Sequence, residues 1–345
     1  MIPIQNIYYM LSYAFQVLNE QGYKNIATEQ FHNTAELMAA ILEKGIAIQL
    51  KRGLGKEYIP QTEALSSLRG KIDIAESIKT QSMLRKQLIC TYDEFSVNSI
   101  MNQIIKSTVE LLLRSNISKQ RKKNLRKLMV YFSEVDFIDS YTVNWNVQYN
   151  RNNQTYRMLI SICYLVVKGL LQTQSNGHTK LMDFLDEQRM CRLYEKFILE
   201  YYRKEFKNQI TANASQIPWQ LDNEENSMLS VMQSDIMLQS GEKVLIIDAK
   251  YYEHSTQVQF DKHTLHSGNL CQIFTYVKNK EYELREKDHT VSGMLLYAKT
   301  DEEIYPNNVY QMSGNQITVR TLDLNLPFDE IAGQLNTIAK THFDL

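Results

Sequence analysis

The run Val244-Leu-Ile-Ile-Asp-Ala-Lys-Tyr-Tyr limits what this chain can fold into more than any other stretch. Four consecutive apolar residues predict a strand covered on both faces, as in an α/β sheet. Asp248 and Lys250 then interrupt it two positions apart. Residues i and i+2 of a strand share a face, so a carboxylate and an ammonium emerge side by side at the end of a buried strand. Burying either one unpaired is costly, so they must meet each other, a metal or solvent in a cleft.

Asp235 lies in the preceding strand-like stretch, Val231 to Leu238, which the turn residues Gln239-Ser-Gly-Glu separate from Val244. A hairpin here would carry Asp235 to Asp248. Two carboxylates without a His or Cys ligand suit a hard cation, Mg²⁺ being the natural choice. Such a cation activates water and offsets phosphoryl charge in an in-line attack, with Lys250 positioning the water or stabilising the phosphorane. An isolated Asp-x-Lys is more often a surface salt bridge at a hairpin end, so the tripeptide alone decides nothing.

Further residues bear on it. Glu195 falls on a helix expected over Gln188–Phe206, from which it could reach the metal, although it could equally be a solvated carboxylate. Gln272 and Tyr276, four apart on a helix expected from about Leu265 to Lys280, share one face, as ordinary packing residues also would. The order Glu on a helix, Asp on a strand, Asp-x-Lys on the next strand and Gln-x-x-x-Tyr on a helix is far rarer than any one piece.

The periodicity elsewhere predicts helices over residues 5–19, 34–50, from Ser96 onward, 119–131, 156–171 and 328–341. Tyr58 to Ile74 changes character and reads as a hairpin or projecting finger, with Leu88-Ile-Cys-Thr-Tyr as a short strand. Further strands are expected at Ile217, at Met232–Leu238, at Gly293–Ala298 and, as an edge, at Ile317–Leu322. A boundary near residues 172–185 would separate an N-terminal domain, 1–175, from a mixed α/β domain, 176–345.

At 345 residues the chain can hold two or three cores. Its net charge of −1 announces no nucleic-acid partner, but charge is segregated in the run Lys119, Arg121, Lys122, Lys123, Arg126 and Lys127. That run is either a solvated helix face or a phosphate contact, with Lys122, Lys123 and Arg126 as its candidates and Arg192, Lys196 and Lys262 as equally plausible ones. Cys90, Cys163, Cys191 and Cys271 are scattered and read as reduced, mostly buried thiols of a cytoplasmic protein. No signal peptide is expected, and Leu159–Leu171 with its Lys168 falls short of the about 20 residues that span a bilayer. His263 and His266 lack a third ligand or a nearby Glu and read as surface residues. No G-x-x-x-x-G-K-[S/T] occurs, so this chain itself binds no nucleotide through a P-loop.

The order of acidic, lysine, glutamine and tyrosine positions resembles the PD-(D/E)xK nuclease superfamily, in the branch with a Gln-x-x-x-Tyr helix; Ser234 stands where many members have Pro. Leu68-Arg-Gly-Lys-Ile-Asp-Ile, Cys90-Thr-Tyr-Asp-Glu-Phe-Ser-Val-Asn, Arg192-Leu-Tyr-Glu-Lys-Phe and Ile217-Pro-Trp narrow the likeness. Together they resemble the McrC family, over roughly Ile4 to Tyr276. McrC is the nuclease subunit of McrBC-type restriction systems, which serve in phage defence.

The resemblance implies an α+β adaptor domain with a projecting β-finger near 58–74, followed by an α/β PD-(D/E)xK nuclease domain with a mixed sheet flanked by helices. It implies a site of Asp235, Asp248, Lys250 and Glu195, with Asp235, Asp248 and Glu195 on Mg²⁺ and Gln272 and Tyr276 in support. It also implies a partner, a McrB-like hexameric AAA+ GTPase whose hydrolysis the chain stimulates, and a substrate, double-stranded DNA carrying modified cytosine such as 5-methylcytosine. Arg69 and Lys71 become candidate contacts to the GTPase, or plain hairpin surface. Two other expectations stay open: a GTPase-activating adaptor whose nuclease site has decayed, and a stand-alone repair nuclease or resolvase of the same fold.

Overall fold

The computed structural model describes residues 2–19, 23, 26, 29–139, 142–150, 153–175, 187–222, 228–252, 257–259, 262–299 and 305–345. The chain forms two compact units, one of Phe31–Phe184 and one that joins Met1–Gln30 to Leu185–Leu345. Helix α1 (Ile4–Ala14) belongs to the second.

The Phe31–Phe184 unit contains α2 (Thr34–Arg52), β1 (Glu57–Leu65), β2 (Lys71–Asp73), α3 (Ile74–Lys79), β3 (Leu88–Ser96), α4 (Ile100–Arg114), α5 (Lys119–Met129) and α6 (Tyr156–Ser175). Apolar stripes on three helices fill its core, with Leu37 and Ile41 of α2, Ile105 and Val109 of α4, and Ile162 and Val166 of α6 removed from water. Helix α2 starts at Asn33, whose side chain accepts from Glu36 N, and stops at Gly53, as its sequence predicts. A buried polar clasp closes the unit. Tyr156 OH donates to Asn102 Oδ1 (2.8 Å) and accepts from Gly55 N (2.7 Å), while Asn102 Nδ2 donates to the Gly55 and Val97 carbonyls.

The segment 58–74 reads as a hairpin or projecting finger; it is not a hairpin, because β1 and β2 do not pair with each other. Both run antiparallel to β3, which lies between them. Strand β3 matches β1 residue for residue from Glu57↔Ser96 to Leu65↔Leu88. Polar Asp93 and Glu94 conceal its second half from an apolar pattern. Ile74 opens α3 rather than ending a strand, because the Asp73 side chain caps the helix by accepting from Glu76 N at 2.9 Å.

The composite unit adds α7 (Glu187–Glu205), β4 (Thr211–Asn213), β5 (Gln216–Ile217), β6 (Met232–Gln233), β7 (Ile236–Ser240) and β8 (Lys243–Lys250). Then come β9 (Gln257–Gln259), β10 (Lys262–Thr264), α8 (Ser267–Leu284), β11 (Thr290–Ala298), β12 (Asn308–Met312), β13 (Asn315–Leu322) and α9 (Phe328–Phe343). Its main sheet has six strands in the order β12-β13-β11-β8-β7-β4. The strands β8, β11 and β13 run parallel, and β4, β7 and β12 pair antiparallel with their neighbours. The sheet is thus mixed and the unit α/β, as predicted. Strand β13 is not the edge: β12, whose Val309 and Tyr310 are exposed and whose pattern is weak, lies outside it.

Helix α8 covers one face, where Ile273, Tyr276 and Val277 join Val244, Ile246, Leu295, Ile317 and Val319 in one core. Gly293 permits this approach, since a Cβ there would come within 2.8 Å of Ile273 and Val277 side-chain atoms. Helices α7 and α9 bind one another through Tyr201 OH to Asn336 Oδ1 (2.8 Å) and Tyr202 OH to Leu335 O (3.0 Å).

Helix α1 corrects the division expected at 175/176. Its Tyr13 ring meets Phe197, Tyr201 and Phe328, and Asn6 Nδ2 donates to the Leu324 and Leu326 carbonyls, each at 2.8 Å. Contacts so distant in sequence leave no local signal. Of the expected boundary, residues 176–185 lie outside the described residues. No helix among the described residues is long and apolar enough to cross a membrane.

Candidate active site

The β7–β8 hairpin places the acidic pair. Ser240 pairs with Lys243, leaving Gly241 and Glu242 as the loop, and Gly241 has φ +56° at the first loop position, where a two-residue hairpin favours glycine. The register runs to Ile236↔Ile247, which sets Asp235 opposite Asp248 one step further. The stretch Met232–Leu238 is not one strand. Strand β6 pairs with β5 in a small separate sheet, and the chain changes sheets at Ser234 and Asp235. Ser234 N donates to Ser215 O at 3.0 Å, a bond that a proline at this position could not make.

Asp248 and Lys250 continue the face that carries Val244 and Ile246, so they emerge where the α8-covered core ends. Asp248 is 1% exposed. Lys250 Nζ lies 2.8 Å from Asp248 Oδ2, a charge-assisted ion pair. Asp235 Oδ2 accepts from Ala249 N at 3.0 Å. Burial, then repulsion from Asp248 and Glu195, push the Asp235 carboxyl up to about 8. Burial acts against the Lys250 ammonium, but the attraction of Asp248 and Asp235 outweighs it and raises its pKa.

Helix α8 supplies the next links. Lys250 Nζ donates to Gln272 Oε1 (3.2 Å), and Gln272 Nε2 donates to Tyr276 OH (2.9 Å). An unbroken polar chain therefore runs Asp248–Lys250–Gln272–Tyr276. Glu195 of α7 is held by a neighbour that the sequence did not single out: Cys191 Sγ, one turn earlier, donates to Glu195 Oε1 at 3.0 Å. Burial and Glu195 push the Cys191 thiol up to about 12, which keeps it a donor. Cys90 and Cys163 are buried as expected, whereas Cys191 is half-buried and Cys271 exposed.

The donor set can be tested against a divalent cation. The buried Asp248 and half-buried Asp235 carboxylates oppose and repel each other, so a hard cation suits this pair. Among the described residues, no three His, Cys, Asp or Glu side chains are gathered to hold a metal. Of the three expected ligands, Asp235 and Asp248 oppose each other, while Glu195 is engaged by Cys191.

Other sequence candidates divide. Arg121 is turned inward to Glu36 (3.4 Å) and Glu43 (2.8 Å), so part of the basic run is structural. Lys123 and Arg126 are exposed and Lys122 half-buried. Arg69 lies over the Tyr92 ring at 4.1 Å and Lys71 is exposed. Lys196 lies over the Phe15 ring, and Arg192 is exposed. The Lys262 and His263 side chains lie outside the described residues. His266, expected at the surface, is half-buried: it stands at the α8 N-cap with Nε2 shielded from solvent.

The geometry defines a mixed-sheet α/β protein with an acidic and lysine cluster where its central strand leaves the core. A family model described as "McrBC 5-methylcytosine restriction system component" matches residues 5–298, and the chain belongs to that family. It is 29% identical over 331 residues to the type IV methyl-directed restriction enzyme EcoKMcrBC of Escherichia coli (strain K12), covering 94% of this chain and 93% of that protein. Among solved structures it is similar to a chain in a refined half-complex from a tetradecameric assembly of Thermococcus gammatolerans McrB AAA+ hexamers with bound McrC. That likeness has 17% identity, 97% of this chain, 76% of the other and a TM-score of 0.49. A cryo-EM structure of the T. gammatolerans McrBC complex matches at 20% identity over 59% of each chain, with a TM-score of 0.42.

Proposed function

We propose that this chain is the DNA-cleaving, McrC-type subunit of a GTP-dependent restriction complex directed at modified cytosine. Family membership and a full-length relative that is a methyl-directed restriction enzyme support the system. The observation that carries the catalytic role is the Asp235–Asp248 opposition with Lys250 beside it, at the end of a buried strand.

In this proposal Asp235 and Asp248 hold Mg²⁺, which supplies positive charge for the developing phosphoryl oxyanion. The chain's own residues do the rest. Lys250, oriented by Gln272 and Tyr276, places its ammonium beside the reacting phosphate and stabilises the charge that builds there. Glu195, steadied by Cys191, adds a carboxylate on the α7 side. The partner is a McrB-like AAA+ GTPase that recognises the modified base, binds the nucleotide and is stimulated by this chain. The segment around β1–β3, with Arg69 and Lys71, is the proposed contact to it.

The test is reconstitution with such a GTPase, GTP and Mg²⁺ on DNA with and without 5-methylcytosine. The wild type should cut the methylated DNA, and Asp248→Ala or Lys250→Ala should abolish cutting while stimulation of GTP hydrolysis persists. Loss of both activities in a folded variant would refute this division of labour.

A further inference from the structure

Helix α8 turns another polar side chain toward the sheet, three residues before Gln272. Asn269, Gln272, Ile273, Tyr276 and Val277 share one face of the helix. Asn269 is buried and uses both ends of its amide: Nδ2 donates to Tyr297 OH (2.9 Å), and Oδ1 accepts from Tyr252 OH (3.4 Å). The two tyrosine rings lie 6.3 Å apart between centroids.

The placement of those tyrosines gives the bridge its meaning. Tyr297 of β11 is the register partner of Lys250 in the parallel ladder, and that is the last pair the two strands make. Tyr252 follows Lys250 by two residues, beyond the end of β8. One phenol therefore stands beside the lysine and the other past it. There the ladder no longer sets the separation of the strand ends. A leucine would fill the Asn269 position without desolvating an amide, so the amide is useful for what it joins.

We propose that Asn269 is a positioning residue for Lys250. It ties the end of β8 to β11 through the two phenols, so that the lysine stem is held at a set place while Gln272 orients its ammonium. The site uses a longer segment of α8 than Gln-x-x-x-Tyr: Asn269-x-x-Gln272-x-x-x-Tyr276. This rests on the nuclease reading of the site.

The experiment is steady-state cleavage by the complex reconstituted with the GTPase on methylated DNA, comparing wild type, Asp248→Ala, Asn269→Leu, Tyr297→Phe and the Asn269→Leu/Tyr297→Phe double variant. Asn269→Leu should lower kcat by about tenfold or more with KM for DNA unchanged. Its calorimetric affinity for Mn²⁺ should also be unchanged, because the aspartates are undisturbed. The double variant should lose no more than Asn269→Leu alone, since both remove the same bridge. A wild-type kcat in Asn269→Leu, additive losses, or a fall in Mn²⁺ affinity matching the fall in kcat would each overturn the proposal. Should Asn269→Leu not fold, Tyr297→Phe decides: a lowered kcat supports the role and an unchanged one overturns it. Cutting by Asp248→Ala, or none by the wild type, would instead overturn the nuclease reading and this proposal with it.

Discussion

Asp235 and Asp248 stand opposite one another across the β7–β8 hairpin, with the Lys250 ammonium alongside. The Asp235 carboxyl, pushed up to about 8 from an ordinary value of 3.8, holds its proton in the folded, metal-free protein. The unfolded chain releases that proton near pH 4. Between pH 4 and 8 the folded state thus binds more protons, and this group's contribution to stability falls as pH rises. In EDTA, Asp235→Asn should flatten this part of the dependence of Tm on pH. Mg²⁺ should flatten it too, by binding the carboxylate form, and should bind more tightly as pH rises toward 8. A wild-type slope in Asp235→Asn would contradict this.

The hydrogen bonds from Lys250 to Gln272 and from Gln272 to Tyr276 predict a graded series. Gln272→Ala leaves a largely buried ammonium with one partner fewer and should slow cleavage about 10- to 100-fold. Tyr276→Phe removes the second link and should cost less. Single-turnover rates at saturating Mg²⁺ read the series directly, and equal losses would mean that the chain does not act in sequence.

Arg121 should behave unlike its basic neighbours. With the Arg121 side chain 13% exposed and paired to Glu36 and Glu43, Arg121→Ala removes the cation from two carboxylates and leaves them the neutral donors of Ser118 and Asn124. It should destabilise the Phe31–Phe184 unit by about 3 kcal/mol in urea unfolding. Replacing Lys122, Lys123 and Arg126 together should leave stability within about 0.5 kcal/mol per site. If these three residues contact DNA, the same variant will weaken binding and flatten its salt dependence; an unaltered salt slope makes them a solvated face.

Gly293→Ala should destabilise the composite unit by about 1–3 kcal/mol, since the new methyl meets Ile273, Val277 and Ile317 inside a filled core. Thermal unfolding measures it, and Val277→Ala in the same chain should restore part of the loss.

Strand β8 and the turn before it were legible because four apolar residues, a charged pair and a glycine turn all act locally. Gln272 and Tyr276 were legible through helical spacing. What escaped depended on pairing between distant segments. Strand β3 shows half its length as apolar alternation and owes the rest to β1, and β12 owes its existence to β13. The bond from Cys191 Sγ to Glu195 needs only a turn of helix and leaves no mark in composition. Asn269 carries no motif either, since its partners lie on two different strand ends.

The packing of α1 against Phe197, Tyr201 and Phe328 has a consequence for how the chain is made. A ribosome releases α1 before the Phe31–Phe184 unit and its partners only after that whole unit has emerged. During that interval Tyr8, Met10 and Leu11, all buried in the finished protein, have nothing of their own unit to cover them. The composite unit, which holds the candidate active site, is therefore completed by joining segments made before and after the Phe31–Phe184 unit.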